Sequence, residues 1–480
     1  MRPGDTLQGT ITRFDQKGRG VFDLVRQNAP DRPVAIPFTT IGDEVEASIV
    51  KKDKRTFVAD LVRVTTPGPD RVPVSPSLDK YPGGLWMHIG YDAQVRLKRD
   101  MINAAFADAG HDERIETVIP SSVTTHFRNR MDYAVSWDGK IGLKEFGSWS
   151  RYRDVTEDPL LSDTTPKILD VVRNILGEAL QPWDNKKYSG DLRYVVIREG
   201  KKTGERLIGL IVKDLSRVTE DVKAILRREL DALATSIVIG ENPLITDLSI
   251  AQTIVPLKGD ATLTEIVNGT TYCIHLNSFF QTNSVMSATL QDVVASMVGT
   301  GAIHRAPNTD EPGRDESRPY PAATPVYLLD LYCGLGFFGI NLAQRNPSLH
   351  ISGFEIDAQA IELAKQNAAT NNVSDRCDFT SGPAEDLSWL QARHSFSEGG
   401  KNIDADIVIL DPPRSGLHPR VLKTILEKKP KTIIYVSCNY HRLVEELKLL
   451  KTAYKITDLN AVDMFPHTPH VEMIIKLVLA

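Results

Sequence analysis

Three side chains that could do chemistry each border an apolar run of strand length. The run ADIVILD ends in Asp411, the run TIIYV leads through Ser437 into Cys438, and Glu472 directly precedes MIIKLVL. A thiolate that adds to carbon 6 of a pyrimidine gives carbon 5 the carbanion character it needs to accept a methyl group. A carboxylate or histidine must then remove the carbon 5 proton, and candidates for this base lie within residues 463–472. The pattern favours covalent carbon methylation of a pyrimidine, and the alternative for Cys438 is a buried structural thiol.

A glycine-rich turn lies between an apolar run and the helical segment INLAQR. In LLDLYCGLGFFG, Gly334, Gly336 and Gly339 have the spacing G-x-G-x-x-G, and Glu355 ends the next apolar run. Such a turn binds the phosphates of dinucleotides or the corresponding part of S-adenosylmethionine, while a carboxylate about 20 residues on binds ribose hydroxyls. A purely structural tight turn is the alternative. The stiff Asp-Pro-Pro turn at Asp411 is not needed by a dehydrogenase, which favours a methyl donor over a nicotinamide.

The elements that must position these residues form the C-terminal part of the chain. From about residue 277, apolar runs of strand length alternate with helical segments, which predicts a Rossmann-like, doubly wound parallel sheet in an α/β protein. The carboxyl ends of its strands meet at one edge, so we expect the glycine turn, Asp411 and Cys438 to line one cleft.

The remaining sequence predicts two further domains. Short strands and turns over residues 1–68 predict a small β-barrel, and residues 69–275 alternate strands and helices as a mixed α+β domain. Within the latter we predict a helix near 91–109, which we expect to pack on the catalytic domain, and a strand over ITDLSIAQT, residues 245–253. Residues 276–480 form the methyltransferase-like domain, with a flexible insertion at 299–325 rich in Pro, Gly and charge.

Composition limits the class of protein. The chain has 480 residues, a formal net charge of −5 and only four cysteines, with no C-x-x-C pair. A uniformly basic nucleic-acid coat, a disulfide framework and a structural zinc site are therefore not indicated. With no apolar run long enough to cross a bilayer and no signal-peptide core, we expect no membrane partner and a cytoplasmic protein.

Six motifs in order resemble the S-adenosylmethionine-dependent RNA uridine-5-methyltransferase family. They are NSFFQTN, DLYCGLG, FEIDAQAIELAKQNA, LDPPRSGL, YVSCN and DMFPHTPHVE. The N-terminal barrel resembles the TRAM domain, an RNA-binding module of many members. The resemblance implies Cys438 as nucleophile and Glu472 as the base that removes the proton. It also implies a cofactor pocket formed by Gln281, Tyr332, Gly334, Gly336, Glu355 and Asp411.

The chain departs from the family pattern in two places. Phe337 stands where the family often has a small or amide residue, so no side-chain hydrogen bond to the cofactor is expected there. Many relatives hold an iron–sulfur cluster with cysteines just after the barrel, whereas this chain has Ser75 and the run Pro82-Gly83-Gly84-Leu85. Because these side chains cannot replace thiolates, we predict no cluster. We predict no metal site either, and interpret His467 and His470 as structural or substrate-facing.

RNA contacts are expected from outside the methyltransferase sheet, where cations alternate with aromatic rings suited to stacking. The candidates are Lys51, Lys52, Lys54 and Arg55 in the barrel, and Phe127, Arg128, Arg130, Arg151, Tyr152 and Arg153 in the central domain. A solvated charged face is the alternative for each of them.

The predicted function is methylation of carbon 5 of a uridine in RNA by a monomer. By family analogy the barrel favours large-subunit (23S) ribosomal RNA over the T-loop of transfer RNA. Rival interpretations are an amino methyltransferase, which needs no cysteine, a nicotinamide oxidoreductase, and an RNA-binding protein without activity.

Overall fold

The computed structural model describes residues 2–25, 30–148, 150–177, 179–299, 325–386 and 405–480. The insertion predicted at 299–325 lies outside these described residues except for Gly299 and Pro325. Among the described residues, no helix combines the length and apolar character that crossing a membrane requires.

The N-terminal region is a six-stranded sheet that curls around its own core. Its strands are β1 (Thr6–Thr10), β2 (Arg13–Phe14), β3 (Gly20–Leu24), β4 (Arg32–Ile36), β5 (Glu44–Asp53) and β6 (Thr56–Thr66). They are ordered β1-β5-β6-β4-β3-β2. Three strands separate β1 from β3 in the sheet, yet a Cβ on Gly9 of β1 would lie 2.5 Å from the Phe22 ring of β3. The two ends of the sheet therefore face each other across a shared core, as in a small barrel.

Helix α1 (Tyr91–Asp108) follows the barrel in sequence but packs with the C-terminal part of the chain. Its buried residues Ile102, Ala105 and Phe106 share a core with residues of the C-terminal sheet such as Leu331 and Tyr435. The segment between the barrel and the central sheet thus contributes to the C-terminal layer.

The central region is a seven-stranded sheet with helices on one face. It contains β7 (Arg130–Val135), β8 (Ile141–Lys144), β9 (Tyr152–Asp154), α2 (Thr165–Ile175), β10 (Leu192–Glu199), β11 (Arg206–Val212), α3 (Glu220–Leu230), β12 (Ser236–Glu241) and β13 (Thr253–Lys258). The strand order is β13-β12-β11-β10-β7-β8-β9. Helix α3 begins at Thr219, whose side chain accepts a hydrogen bond from the Val222 backbone N–H. Helices α2 and α3 cover one face, while side chains of the other face, such as Val196, join the core of the C-terminal domain.

The predicted strand over 245–253 is wrong. Strand β13 begins only at Thr253, and the preceding residues form a loop that exposes Ile245, Leu248 and Ile250 at 65%, 53% and 45%. Alternating apolar residues suggested a half-buried strand, but no neighbouring strand covers them.

The C-terminal region is a seven-stranded sheet preceded by a hairpin. These elements are β14 (Thr262–Val267), β15 (Thr270–His275), α4 (Ser284–Val298), β16 (Val326–Leu331), α5 (Phe337–Arg345), β17 (Leu349–Glu355), α6 (Ala358–Thr370), β18 (Cys377–Ser381), β19 (Ile407–Leu410), α7 (Pro419–Lys428), β20 (Thr432–Ser437), α8 (Tyr440–Leu450), β21 (Tyr454–Val462) and β22 (Glu472–Leu479). The sheet is ordered β18-β17-β16-β19-β20-β22-β21, with β22 antiparallel to both of its neighbours. The predicted α/β class, with a Rossmann-like domain behind an N-terminal β domain, is confirmed.

Candidate functional site

Cys438 and Glu472 meet where β20 ends and β22 begins. Ser437 of β20 is the register partner of Met473 of β22. One residue further along, Cys438 and Glu472 therefore come opposite each other, and opposite residues of an antiparallel pair share one face of the sheet. Cys438 is half-buried and Glu472 is 4% exposed. The thiol and the carboxyl group thus share a confined space at the sheet edge.

Asp411 joins this pair from the end of the neighbouring strand β19. The following prolines, Pro412 and Pro413, prevent the chain from continuing as a helix or a ladder, which leaves Asp411 at the carboxyl edge. Burial, with the charge of Asp411, raises the pKa of Glu472 well above its usual value. Burial, with the charge of Glu355, raises the pKa of Asp411 to about 7. Glu472 is buried and Asp411 is half-buried. Because the charge of one carboxylate opposes ionisation of the next, this edge favours holding a proton on the pair.

Arg414 is a residue of this site that the sequence analysis did not single out. Burial and the charge of Glu472 raise the pKa of Cys438 to about 11, while the charge of Arg414 and a hydrogen bond from it lower that pKa. Arg414 also lowers the pKa of Glu472. Its backbone carbonyl accepts a hydrogen bond from the side chain of Asn439, the residue after Cys438, at 2.9 Å. A cation directly after Asp-Pro-Pro was the signal that could have identified it.

The glycine turn forms the other half of the same edge, between the ends of β16 and β17. Gly334 has φ +53° and its N–H donates to Glu355 Oε2 at 3.3 Å. No atom lies within 4 Å of a Cβ built on Gly334, whereas a Cβ on Gly336 would lie 2.6 Å from Ile340. Gly336 is therefore required for packing at the start of α5, and Gly334 borders open space. Tyr332 before the turn is half-buried, also with positive φ.

This half fits a nucleoside-like cofactor. The space beside Gly334 lets a ligand approach the backbone, and Glu355 supplies carboxylate oxygens suited to ribose hydroxyls. The site lies where β16 has β17 on one side and β19 on the other, the position at which doubly wound sheets bind ligands. Glu355 also raises the pKa of Asp411, so the two halves of the edge are electrostatically coupled.

Asp330 is a second residue that the sequence analysis missed. It is fully buried in β16, and one of its oxygens accepts a hydrogen bond from the Gly339 N–H at 3.2 Å. The other oxygen, Oδ1, has no hydrogen-bond partner among the described residues. Burial and the charge of Asp411 raise its pKa to about 8. An acid inside an apolar run, four residues before the motif glycine Gly334, was the available signal.

Gln281 lies in the loop between β15 and α4 and is held by the central domain. The Asn129 side chain donates to the Gln281 backbone carbonyl at 2.8 Å and to Ser284 Oγ at 2.9 Å. Asn283 then caps α4 by accepting from the Met286 N–H. Gln281 itself is 6% exposed. Strand β7, which begins at Arg130, therefore positions a loop of the methyltransferase domain.

Phe337 packs in an aromatic cluster. Its ring lies 4.9 to 5.9 Å from the rings of Tyr272, Phe280 and Phe338, measured between centroids. It is 7% exposed. Its backbone carbonyl accepts from the Tyr272 hydroxyl at 2.8 Å and from Gln291 at 3.0 Å. Phe337, the residue that departs from the family pattern, therefore fills a position in the hydrophobic core.

A buried ion pair anchors the loop that carries Glu472. Lys98 of α1 donates to Asp463 Oδ1 at 2.6 Å and to the Phe465 carbonyl at 3.0 Å. Both side chains of the pair are fully buried. Gln94 of the same helix accepts from the His467 N–H at 2.7 Å. Helix α1 thus fixes the start of the segment that ends at Glu472.

The central candidates for RNA contact occupy different environments. Phe127 is 1% exposed inside the core of the central domain, so its ring has no free face for a base and this prediction is wrong. Arg130 is bound to Asp132 and to the carbonyls of Leu276 and Ser278, which lead to Gln281. Burial, with the charges of Arg414, Lys98 and Arg128, lowers the pKa of His470 to about 4, and His470 lies two residues before Glu472 in the sequence.

The predicted barrel residues lie in a different sheet from this edge. Lys51 and Lys52 are exposed on β5, and their role in RNA binding stays a prediction. In the described part of the chain, no three His, Cys, Asp or Glu side chains are grouped as metal ligands would be. Burial raises the pKa of Cys333 and of Cys377, which are packing residues.

Comparison with known proteins identifies a family and relatives that match along nearly their whole length. A profile of the tRNA (uracil-5-)-methyltransferase family matches residues 323–479. A tRNA (uracil(54)-C(5))-methyltransferase of Pyrococcus horikoshii is 32% identical and aligns with 98% of this chain and 100% of that protein. A 23S rRNA (uracil(747)-C(5))-methyltransferase of the same organism is 31% identical, over 98% of this chain and 99% of that protein.

A solved structure has the same fold along the whole chain. The crystal structure of a Pyrococcus abyssi tRNA (uracil-54, C5)-methyltransferase in complex with S-adenosyl-L-homocysteine is 29% identical. The match covers 98% of this chain and 100% of the Pyrococcus abyssi chain, with a TM-score of 0.72. The matched lengths include the N-terminal sheet, the central sheet and the C-terminal domain.

Proposed function

Because the chain belongs to the S-adenosylmethionine-dependent RNA uracil-5-methyltransferase family, we propose that Cys438 and Glu472 carry out methylation of a uridine through a covalent adduct. The observation that carries the proposal is the register of β20 and β22, which sets the thiol opposite the carboxyl group. An amino methyltransferase would have no use for a cysteine at that position.

Cys438 is the nucleophile in this mechanism. At neutral pH its thiol is protonated, because its pKa is raised to about 11. The proton passes to the ionised member of the Asp411–Glu472 pair as sulfur adds to carbon 6, and from there to water, so that the pair again offers a carboxylate before the carbon 5 proton is removed. Arg414 stabilises the thiolate as it forms, because its guanidinium lowers the pKa of Cys438. Addition to carbon 6 leaves an enolate whose carbon 5 is nucleophilic.

Glu472 is the base that removes the carbon 5 proton after methylation. Burial raises its pKa, and a carboxylate with a raised pKa is the stronger base once it is ionised. Its position at the start of β22, with the preceding loop anchored by Lys98, keeps the carboxylate on a rigid element. As that proton leaves, the Cys438–carbon 6 bond breaks and its electron pair returns to sulfur. The proton then passes from Glu472 to the thiolate, which restores the thiol and the carboxylate.

The cofactor is held by the other half of the edge. When bound, S-adenosylmethionine supplies an electrophilic methyl group. We propose that Glu355 binds its ribose hydroxyls, that the backbone at Gly334 and Gly336 lines its path, and that Gln281, Tyr332 and Asp411 enclose it. The open space beside Gly334 supports this assignment.

We further propose that the substrate is the uridine at position 54 of transfer RNA. The tRNA methyltransferases that the chain resembles align with 98% of it, which includes residues 1–68. The N-terminal barrel therefore does not favour ribosomal RNA over transfer RNA. Relatives named for uridine 747 of 23S rRNA make that RNA the second candidate.

The test of the mechanism is an adduct trap. Glu472→Gln protein is incubated with an unmodified tRNA transcript, a 23S rRNA transcript and S-adenosylmethionine, then run on a denaturing gel. We expect a protein–RNA band, because the adduct forms but its proton is not removed. The double variant Glu472→Gln/Cys438→Ala is the matched control and should lack the band. A band in both variants, or in neither, contradicts the mechanism.

The identity of the trapped RNA tests the substrate. A band with the tRNA transcript that disappears when uridine 54 is replaced by cytidine supports transfer RNA. A band only with the 23S transcript would refute that part of the proposal.

A further inference from the structure

A pocket of about 240 Å³ opens on the central domain, away from the cofactor. Four aromatic residues line it, namely Tyr152, Trp183, Tyr188 and Tyr194. The sequence analysis named only Tyr152 among them, and the proposed mechanism uses none. Ligand pockets for drug-sized molecules span about 300–1,000 Å³, so this one suits a single planar group.

The pocket lies on the same sheet face as the loop that carries Gln281. Side chains alternate along a strand, so Arg130 and Ala134 of β7 share a face, and Ala134 is the register partner of Tyr194 in the pocket lining. Arg130 donates to the Leu276 and Ser278 carbonyls at the start of that loop. Four residues of strand span about 13 Å. Arg130, which holds this loop, therefore lies about 13 Å along β7 from the pocket lining.

The mouth of the pocket exposes one aromatic and one aliphatic side chain. Tyr188 is 57% exposed and Ile245 is 65% exposed. Tyr188 has φ +55°, a left-handed conformation that is unusual for a bulky residue and is found at ligand sites. Exposed Lys186 and Lys187 precede it directly. Such a site can hold one nucleotide, because the cations bind its phosphate and the exposed ring stacks on its base.

The inner wall offers polar groups. Asp247 accepts from the Tyr194 hydroxyl at 2.6 Å and pairs with Lys144, and its side chain is still 65% exposed. Each carboxylate oxygen has a second lone pair, so Asp247 can accept from an amino group of a base.

Arg193 holds the loop that forms this wall. It is 3% exposed and donates to the carbonyls of Asn242 and Leu244 at 2.8 and 2.7 Å. Arg193 and Thr246 both line the pocket, and the Arg193 Nε and the Thr246 hydroxyl are buried without a hydrogen-bond partner among the described residues. Buried polar atoms without partners are rare in folded proteins and accord with a site built for a ligand.

We propose that this pocket binds one unstacked nucleobase of the RNA substrate, a nucleotide that flanks the target uridine. The base lies against Tyr188 and Ile245, its amino edge faces Asp247, and its phosphate is bound by Lys186 and Lys187. This inference rests on the proposed function, because RNA is the polymer that the methyltransferase must hold.

Two variants remove the proposed contacts without touching the catalytic edge. They are Tyr188→Ala and Lys186→Glu/Lys187→Glu. Trp137→Ala is the control for the first, because Trp137 is also 57% exposed in the central domain and does not line the pocket. Arg227→Glu/Arg228→Glu reverses the same amount of charge on α3, which packs on the opposite face of the sheet.

The measurements are filter binding and methylation kinetics with a tRNA transcript and, separately, a 23S rRNA transcript. Loss of one stacked base should raise the Kd and the KM for RNA about 10-fold, while kcat and the affinity for S-adenosylmethionine stay constant. The lysine variant should also show a weaker dependence of RNA binding on salt. The controls should stay within about twofold of wild type.

A set of transcripts, each with one abasic nucleotide near the target, locates the bound base. At one position, removal of the base should weaken RNA binding to the wild-type protein. The same removal should not weaken RNA binding to Tyr188→Ala protein any further, because the base and Tyr188 are partners in one contact. Additive losses at every position would overturn the inference, as would variants that behave like their controls.

The two proposals fail separately. If wild type methylates RNA but the pocket variants match their controls, the pocket is refuted and the catalytic proposal stands. If RNA binds through the pocket but no uridine is methylated, the catalytic proposal is refuted and the pocket proposal stands. If wild type binds neither transcript, both are refuted.

Discussion

The two halves of the proposed catalytic edge are built in different ways. In the cofactor half, an open backbone turn at Gly334 and the carboxylate of Glu355 present a shape and a few hydrogen-bonding groups. In the nucleophile half, Asp411, Cys438 and Glu472 are crowded together and all have raised pKa values. The first half is built for binding and the second for moving protons.

The difference follows from how each half is assembled. The glycine turn and Glu355 come from consecutive strands, β16 and β17, and lie within about 20 residues of each other. The other half needs the last strand, β22, to return antiparallel beside β20, and needs α1 from far upstream to anchor the loop before it. We expect substitutions in the two halves to separate binding from chemistry.

The largest effect should come from Cys438→Ala. Without the nucleophile, kcat should fall by about 10⁴-fold or more, while binding of S-adenosylmethionine, measured by calorimetry, stays near wild type. Cys273→Ala is the control, because Cys273 is also half-buried but lies in β15. Substantial methylation by Cys438→Ala protein would contradict the role of Cys438 as nucleophile, and with it the difference between the two halves.

The next effect concerns the anchor of the Glu472 loop. Lys98→Met leaves Asp463 buried without its partner, which should lower the free energy of unfolding by about 3–5 kcal/mol. The double variant Lys98→Met/Asp463→Asn removes both charges and should recover most of this loss. Chemical denaturation measures both variants, and an unchanged midpoint for Lys98→Met would show that the pair does not stabilise the loop.

In the cofactor half, Glu355→Ala should weaken S-adenosylmethionine binding. Loss of hydrogen bonds to a charged group costs about 1.5–3 kcal/mol, or about 10- to 150-fold in Kd. At saturating cofactor the kcat should change much less. Glu362→Ala, on the exposed side of α6, serves as control. A Glu355→Ala variant with a normal Kd for S-adenosylmethionine and a low kcat would contradict the assignment of Glu355 to the cofactor half.

The smallest effect is on the pH dependence of stability. The pKa of Asp330 is raised from 3.8 to about 8, so the folded protein holds this proton more tightly than the unfolded chain. The stability that this provides is complete below about pH 4 and is lost as the pH rises through about 8. Asp330→Asn, which cannot ionise, should flatten the fall in Tm of the free protein between pH 6 and pH 9. An equally steep fall in the variant would mean that Asp330 does not contribute.

Several features of the site were predictable because they are local in sequence. Apolar runs of strand length, the glycine spacing and the Asp-Pro-Pro turn each depend on a few neighbouring residues, and together they predicted the Rossmann-like domain and its cleft. The errors arose where burial depends on distant segments. Phe127 sits in a stretch of cations but is covered by the central core, and residues 245–252 alternate like a strand but belong to no strand of the described part of the chain.

The sequence by itself determined the α/β class, the order of the motifs, and the cysteine and carboxylates available for chemistry. Only the tertiary structure decided that Cys438 lies opposite Glu472, that Arg414 acts on both, and that Tyr188 and Ile245 border one pocket. The physical reason is that strand pairing, burial and pKa depend on neighbours tens to hundreds of residues away in the chain, whereas turns and periodicity depend on neighbours within a few residues.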